Sequence, residues 1–354
     1  MSLKNTISQS HKEIVGSRTK NRLTVQISCA VQLIMDFYSV DYLVLMDYIE
    51  DISIIKNPEN PSDIHLYQVK TKTTDKSYLL SAIIKDKWYQ KLYQNAQKYT
   101  TYLSTATVIC NADVVQSGEV VFENEKTSLK DIELDKNIKK IKNAIAKDLE
   151  IKENDVDLSK FYFVRSNLSV KGHKNEVEHE FEDFLLNKDP ELQVATVKSI
   201  YRLIYDKLDE KFNNEISENC TDINEIFNKK GLDGKEVKDI ISCGLAIQFP
   251  ALEKLFDEFN ITSISEIRKY KQQYTYIKTD TFSSIDLFIE LKKQLMQLIR
   301  LINESGIDNM PELLECVYTQ AYDNKIIPSA YNEEYYIKML IMVLIYKYCF
   351  GVDN

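Results

Sequence analysis

The sequence predicts a mixed α/β fold in its N-terminal part, followed by an all-α C-terminal part. Three observations carry this. Eight glycines and six prolines among 354 residues are few, and Lys, Glu, Asp, Ile, Leu and Tyr dominate, a mixture that favours long helices and few turns. β-prone runs cluster before residue 112, with one more in "FYFVRSNLSV". Beyond Asn175 nearly every segment has helical spacing. The length suffices for two or three domains. A boundary is expected near residue 210, before "NNEISENCTD", which gives 1–210, with its core at about 16–115, and a helical 211–354.

The first element is a helix. In "SRTKNRLTVQISCAVQLIMDFYS" Leu23, Ile27, Ala30, Ile34 and Phe37 fall in steps of four, three, four and three, one helical face. Arg18, Arg22 and Gln26 form a second stripe one turn apart and are candidate phosphate contacts. Three strands follow: Leu43–Leu45, Ile52–Ile55, then Ile64, Leu66 and Val69. A bend near Glu50–Asp51 separates the first two, and the proline-bearing loop "NPENPSD" separates the last two, so a meander is the simplest arrangement. "YLLSAIIKDKWYQKLYQNAQKYTTYL" returns to helical spacing through Leu80, Ile83, Ile84, Trp88 and Leu92, and "STATVICNA" is the next strand. A strand that returns after a helical crossover can pair in parallel with an earlier one, which makes the sheet mixed. "LDKNIKKIKNAIAKDL" is an amphipathic helix. In the C-terminal part, Ile285, Phe288, Ile289, Leu295, Leu298, Ile299 and Ile302 line one helical face, with Gly306 as a stop.

Composition removes several classes of function. The apolar run Met339–Tyr346 is far short of the roughly 20 residues of a membrane span. The polar opening "MSLKNTISQSHKEIVGSRTKNR" is no signal peptide, so a cytoplasmic protein without membrane contact is expected. The six cysteines are scattered without a CxxC pair, and His173 and His179 stand six apart with no cysteine nearby, which excludes a structural zinc site. The net charge is −9, yet residues 1–110 carry 13 Lys/Arg against 10 Asp/Glu, leaving −12 on the remainder. A mildly basic front and an acidic rest suggest different partners.

The stretch "IHLYQVKTKTT", residues 64–74, ends a strand in a glutamine and a lysine two apart. Residues two apart on a strand share a face, so Gln68 and Lys70 point the same way. Phosphodiester hydrolysis requires a divalent cation held by oxygen, with a positive group near the attacking water or the developing charge. Asp51 offers a carboxylate, Gln68 an amide oxygen and the Val69 backbone a carbonyl; Lys70 offers the positive charge. Magnesium keeps several waters, so few protein ligands suffice. Asp47, of the same strand parity as Asp51, and Glu50 are reserve acids.

An acid opening one strand and QxK ending the next, in the order helix–strand–strand–strand–helix–strand, resembles the PD-(D/E)xK restriction-endonuclease-like core, in the variant with glutamine before the lysine. The blocks "GSRTKNRLTVQIS", "DYLVLMDYIEDISII", "LYQVKTKTT", "KLYQNAQKY", "TATVICNA" and "FVRSNLSVKGHKNEVEHEFEDFLL" are similar, in order, to the nuclease domain of CBASS effectors, the CD-NTase-associated double-stranded DNA endonucleases. That domain also occurs in Lamassu nuclease subunits and beside HerA-type ATPases. The resemblance covers roughly residues 10–210. It implies Asp51, Gln68 and Lys70 as catalytic residues and Asp51, Gln68 and Val69 around Mg²⁺ or Mn²⁺. The first helix offers Arg18, Arg22 and Gln26 where such folds often carry an acid. The short helical C-terminal part departs from the sensor domain of CBASS effectors, which brings the chain nearer to the Lamassu or HerA-linked members. These imply double-stranded DNA as substrate, an SMC-like or HerA-type ATPase partner with a small accessory subunit, and a homo-oligomer when active. The expected function is a metal-dependent DNA endonuclease of a defence system, held inactive until a partner or oligomerisation releases it. The alternative is a DNA-binding or scaffold subunit that kept the fold and lost the chemistry. A ribonuclease is a third reading, since nothing in the sequence separates a DNA groove from an RNA one.

Overall fold

A computed structural model describes residues 3–8, 20–72, 77–122, 124–130, 136–188, 190, 192, 194–217, 220–244, 250–283, 285–304, 306, 307, 309–331 and 333–350. The elements follow as α1 (Leu3–Ser8), α2 (Lys20–Phe37), β1 (Tyr42–Met46), β2 (Ile52–Lys56), β3 (Asp63–Lys70), β4 (Tyr78–Leu79), α3 (Leu80–Lys85), α4 (Trp88–Gln97) and β5 (Leu103–Cys110). Then come β6 (Val114–Gln116), β7 (Glu119–Val120), β8 (Lys126–Ser128), α5 (Lys136–Leu149), β9 (Phe161–Arg165), α6 (His173–Leu186), α7 (Val194–Asn213), α8 (Ile223–Lys230), β10 (Gly231–Asp233) and α9 (Gly234–Gly244). The last helices are α10 (Leu252–Glu258), α11 (Ile264–Ser283), α12 (Ile285–Asn303), α13 (Met310–Asp323) and α14 (Glu334–Phe350). The chain divides into two compact units, one of residues 1–184 with 204–237 and one of 185–203 with 238–354.

The first unit is built on a seven-stranded mixed sheet in the order β10-β1-β2-β3-β5-β9-β8. β1, β2 and β3 form the expected antiparallel meander, while β5 returns after α3 and α4 to lie parallel to β3, and β9 lies parallel to β5. The expected order of helix, three strands, helix and strand is therefore present. Alternation along β3 sends Ile64, Leu66, Gln68 and Lys70 to one face and His65, Tyr67 and Val69 to the other. On the first face Ile64 and Leu66 join Leu92, Ala106, Val108, Ile141 and Phe163 in one apolar core. On the other, Phe37 at the end of α2 meets the His65 ring edge-on at 5.0 Å.

Two features differ from the sequence expectation. The helix after β3 is two helices, because Lys87 adopts a left-handed conformation (φ 56°) between α3 and α4. The apolar spacing continues across the break, so periodicity does not reveal it. A three-residue strand, β10, also lies far down the chain and pairs antiparallel with β1. Gly231 permits it, since a Cβ there would lie 2.5 Å from the Phe227 carbonyl oxygen and 2.8 Å from Leu43 Cδ1.

The second unit is helical among its described residues. There α14 packs against α10, α11, α12 and α13, so its apolar run is buried in its own unit. No helix among the described residues is long and apolar enough to cross a membrane.

Candidate active site at the open end of β3

β2 stops pairing with β3 at Ile52–Tyr67, whereas β3 runs on alongside β5 as far as Lys70–Cys110. The last three residues of β3 thus lack a strand on one side, and Asp51 stands one register step beyond the final pair, beside Gln68. The Asp51 carboxylate substitutes for the missing strand: its Oδ2 accepts from the Val69 N–H at 2.7 Å. A residue in a sheet directs its N–H and C=O to the same side, so the Val69 carbonyl opens on the edge where Asp51 sits.

Burial raises the Asp51 carboxyl above its ordinary range; Lys70, the Val69 N–H and a side-chain hydrogen bond from Gln26 oppose that rise, and the neighbouring Asp47 adds to it. Gln68 is 7 % exposed, and its Oε1 is buried without a hydrogen-bond partner. Buried hydroxyls at Tyr42, Ser53 and Tyr89 share this condition, but Gln68 alone among these residues lies at the open strand end beside the acid. Lys70 Nζ lies 6.0 Å from the ring centre of Trp88, the first residue of α4. Lys72 is held elsewhere: its ammonium donates to the Ser77 carbonyl and lies over Tyr78, and its backbone pairs with the Asn111 side chain.

The reserve acids have structural partners. Asp47, in a left-handed conformation (φ 46°), donates its N–H to the Asp51 carbonyl, and its carboxylate lies 3.9 Å from the ammonium of the fully buried Lys230. Glu50 accepts from Asn95 of α4 at 2.9 Å. Both contacts pin the turn that carries Asp51. On α2, Gln26 is buried against Asp51, in the place where an acid would be sought. Arg18 lies outside the described residues, as does the Arg22 side chain.

Sequence reasoning missed Trp88, Asn95 and Lys230. Trp88 reads as one more apolar helix position, and Lys230 belongs to a charged "NKKG" end that ordinarily faces solvent. No local signal marks either one.

Among the described residues no three His, Cys, Asp or Glu side chains converge as a metal cluster. The donors at hand are one carboxylate, one amide oxygen without a partner and one edge carbonyl. All are hard oxygen ligands, which fits a loosely held Mg²⁺ or Mn²⁺ that keeps most of its waters.

No solved structure matches this chain. Over 273 residues it is 24% identical to Lamassu protein LmuA of Bacillus cereus (strain VD014), an alignment covering 75% of this chain and 74% of that protein. Residues 14–211, more than half of the chain, match the Cap4 double-stranded DNA endonuclease domain, and the chain belongs to that family.

Proposed function

We propose that this protein is a metal-dependent double-stranded DNA endonuclease and the effector subunit of a bacterial defence system against phages or plasmids. The family and the likeness to a Lamassu protein support the class of activity. The observation that carries the metal dependence is the buried, unpartnered Gln68 Oε1 beside the half-buried Asp51 carboxylate. Leaving the Gln68 oxygen dehydrated costs about 1–3 kcal/mol in an empty site, and a cation bound by Asp51, Gln68 and the Val69 carbonyl would recover it. Such a cation supplies Lewis acidity and neutralises phosphate charge.

The remaining chemistry belongs to the chain. Water adds to phosphorus and gives up a proton, the bond from phosphorus to one deoxyribose oxygen breaks, and that oxygen leaves with a proton. Lys70, held against Trp88 on the side of the acid, orients the water and offsets the charge that grows on the phosphoryl oxygens. The basic stripe Arg18 and Arg22 contacts the DNA backbone in this reading. The helices beyond residue 237 serve interaction and oligomerisation, the role expected of residues 211–354, of which 211–237 belong instead to the first unit; an SMC-like or HerA-type ATPase and an accessory subunit are the partners. Control by such partners answers a physical need, because an unguarded nuclease cuts its host's DNA.

Plasmid cleavage by the purified chain, with Mg²⁺, Mn²⁺ or chelator and across a range of protein concentration, tests this. Lys70→Ala is expected to slow cleavage by about 10²–10³-fold without loss of thermal stability. Cleavage that persists at the wild-type rate in Lys70→Ala, or in chelator, would sink the assignment.

A further inference from the structure

On the side of α2 turned away from Asp51 runs a row of polar contacts, buried at Ser28 and half-buried to either side, that the cleavage chemistry does not use. Thr24, Ser28 and Gln32 lie four residues apart and form one stripe. Ser28 Oγ lies 2.7 Å from His173 Nδ1, and Thr24 Oγ1 lies 3.3 Å from His173 Nε2. One turn further, Gln32 donates to Glu180 at 2.6 Å. His173 and Glu180, seven residues apart, share a face of α6. From α7 the Tyr205 hydroxyl donates to the Thr24 carbonyl at 3.5 Å and also hydrogen-bonds Ser28. His173 is 4 % exposed and Ser28 fully buried.

At about 100° per residue, Gln26 is turned roughly 200° from Thr24 and from Ser28. The stripe and Gln26 therefore occupy opposite sides of the helix. Any rotation of α2 that carries the stripe away from α6 carries Gln26 away from Asp51. An apolar seam would tolerate a small slide. A neutral imidazole has one donor and one acceptor, and both are engaged here, so the two hydroxyls must both be in place.

We propose that His173 is a positioning residue of the nuclease site: by bridging Thr24 and Ser28 it sets the rotation and register of α2, and through them the hydrogen bond from Gln26 to Asp51. The inference rests on the reading of Asp51 as the acid of the site. His173 touches neither DNA nor the reacting phosphate in this scheme.

The Val69 amide, which donates to Asp51 at 2.7 Å, is the reporter. In the full chain labelled with ¹⁵N-valine and free of metal, Gln26→Ala defines the signature of a lost Gln26–Asp51 contact. That signature is a displaced Val69 resonance and faster hydrogen exchange. His173→Ala is expected to reproduce it, and the double variant to show no more than either single one. His173→Gln, whose amide both donates and accepts, is expected to restore most of the wild-type signal. In cleavage, His173→Ala should lower kcat about ten-fold, with KM for DNA unchanged. An unchanged Val69 resonance in His173→Ala, or an effect that adds to that of Gln26→Ala, overturns the proposal. Should His173→Ala not fold, Ser28→Ala decides by the same criterion. Failure of the underlying site reading looks different: Asp51→Asn would then still cut DNA, whatever the Val69 amide does.

Discussion

Along α14, Ile337 and the run Met339–Ile345 are each 2 % exposed or less, and this burial encloses apolar surface against neighbouring helices. At the end of β3 burial is shallower and polar: Gln68 is 7 % exposed with an amide oxygen that lacks a partner, beside a half-buried carboxylate raised above its ordinary range. Burial stabilises in the first region, at about 1.5–3 kcal/mol per large apolar side chain. In the second it costs stability, since a dehydrated polar group returns nothing until something binds it. The contrast separates a region whose burial holds the fold from the region proposed to bind the metal.

The contrast can be broken from either side. In α14, Leu340→Ala leaves a cavity among apolar neighbours and is expected to cost about 2–5 kcal/mol, read as a lower urea midpoint. A loss below the range for a buried leucine would mean that the helix relaxes, and that its burial is not the close packing described.

Asp51→Asn should act in the opposite direction. Because burial raises the Asp51 carboxyl, the fold favours its neutral form: the cost of ionising it is absent below the ordinary carboxylate range, builds up as pH rises from there to the raised folded value, and is complete above that. Asparagine keeps an acceptor for the Val69 N–H and carries no charge. At neutral pH without metal it is expected to raise stability by about 0.5–2 kcal/mol while removing cleavage. Thermal unfolding with chelator checks the first part and plasmid nicking the second. A destabilised Asp51→Asn would show that the carboxylate is already well compensated in the metal-free protein.

The sequence made parts of this contrast readable and hid others. The meander was legible because β-branched runs are punctuated by the Glu50–Asp51 bend and by a loop with two prolines. The two-residue spacing of Gln68 and Lys70 placed both on one face, since strand periodicity is fixed by the backbone. What spacing cannot reveal is where a partner strand stops, and the candidate site lies open because β2 ends at Ile52 while β3 continues. Contacts between distant segments were equally hidden. Gln26 on Asp51, Lys230 near Asp47 and His173 on Ser28 are separated by 25, 183 and 145 residues, and each is an ordinary polar residue in its local setting. The break between α3 and α4 escaped notice because Ile83, Ile84, Trp88 and Leu92 keep helical spacing through it.

The last test concerns His65, on the face of β3 away from the core of Ile64 and Leu66. Its Nδ1 pairs with Thr105 Oγ1 at 2.9 Å, and its Nε2 is buried without a partner. Burial, with help from Lys56, lowers its pKa to about 4. The folded protein thus keeps His65 neutral while the unfolded chain protonates it near its ordinary 6.5. Between these values the unfolded state holds more protons, so stability is complete above about 6.5 and declines as pH falls towards 4. His173, also lowered by burial, contributes in the same direction. Replacing His65 with Phe removes one titrating group and keeps an aromatic ring against Phe37. The midpoint of thermal unfolding followed from pH 7 to pH 4 should then fall less steeply than in the wild type. A variant with the wild-type slope would place the acid sensitivity in His173 or the carboxylates, and would make His65 as inert as the apolar side chains of α14.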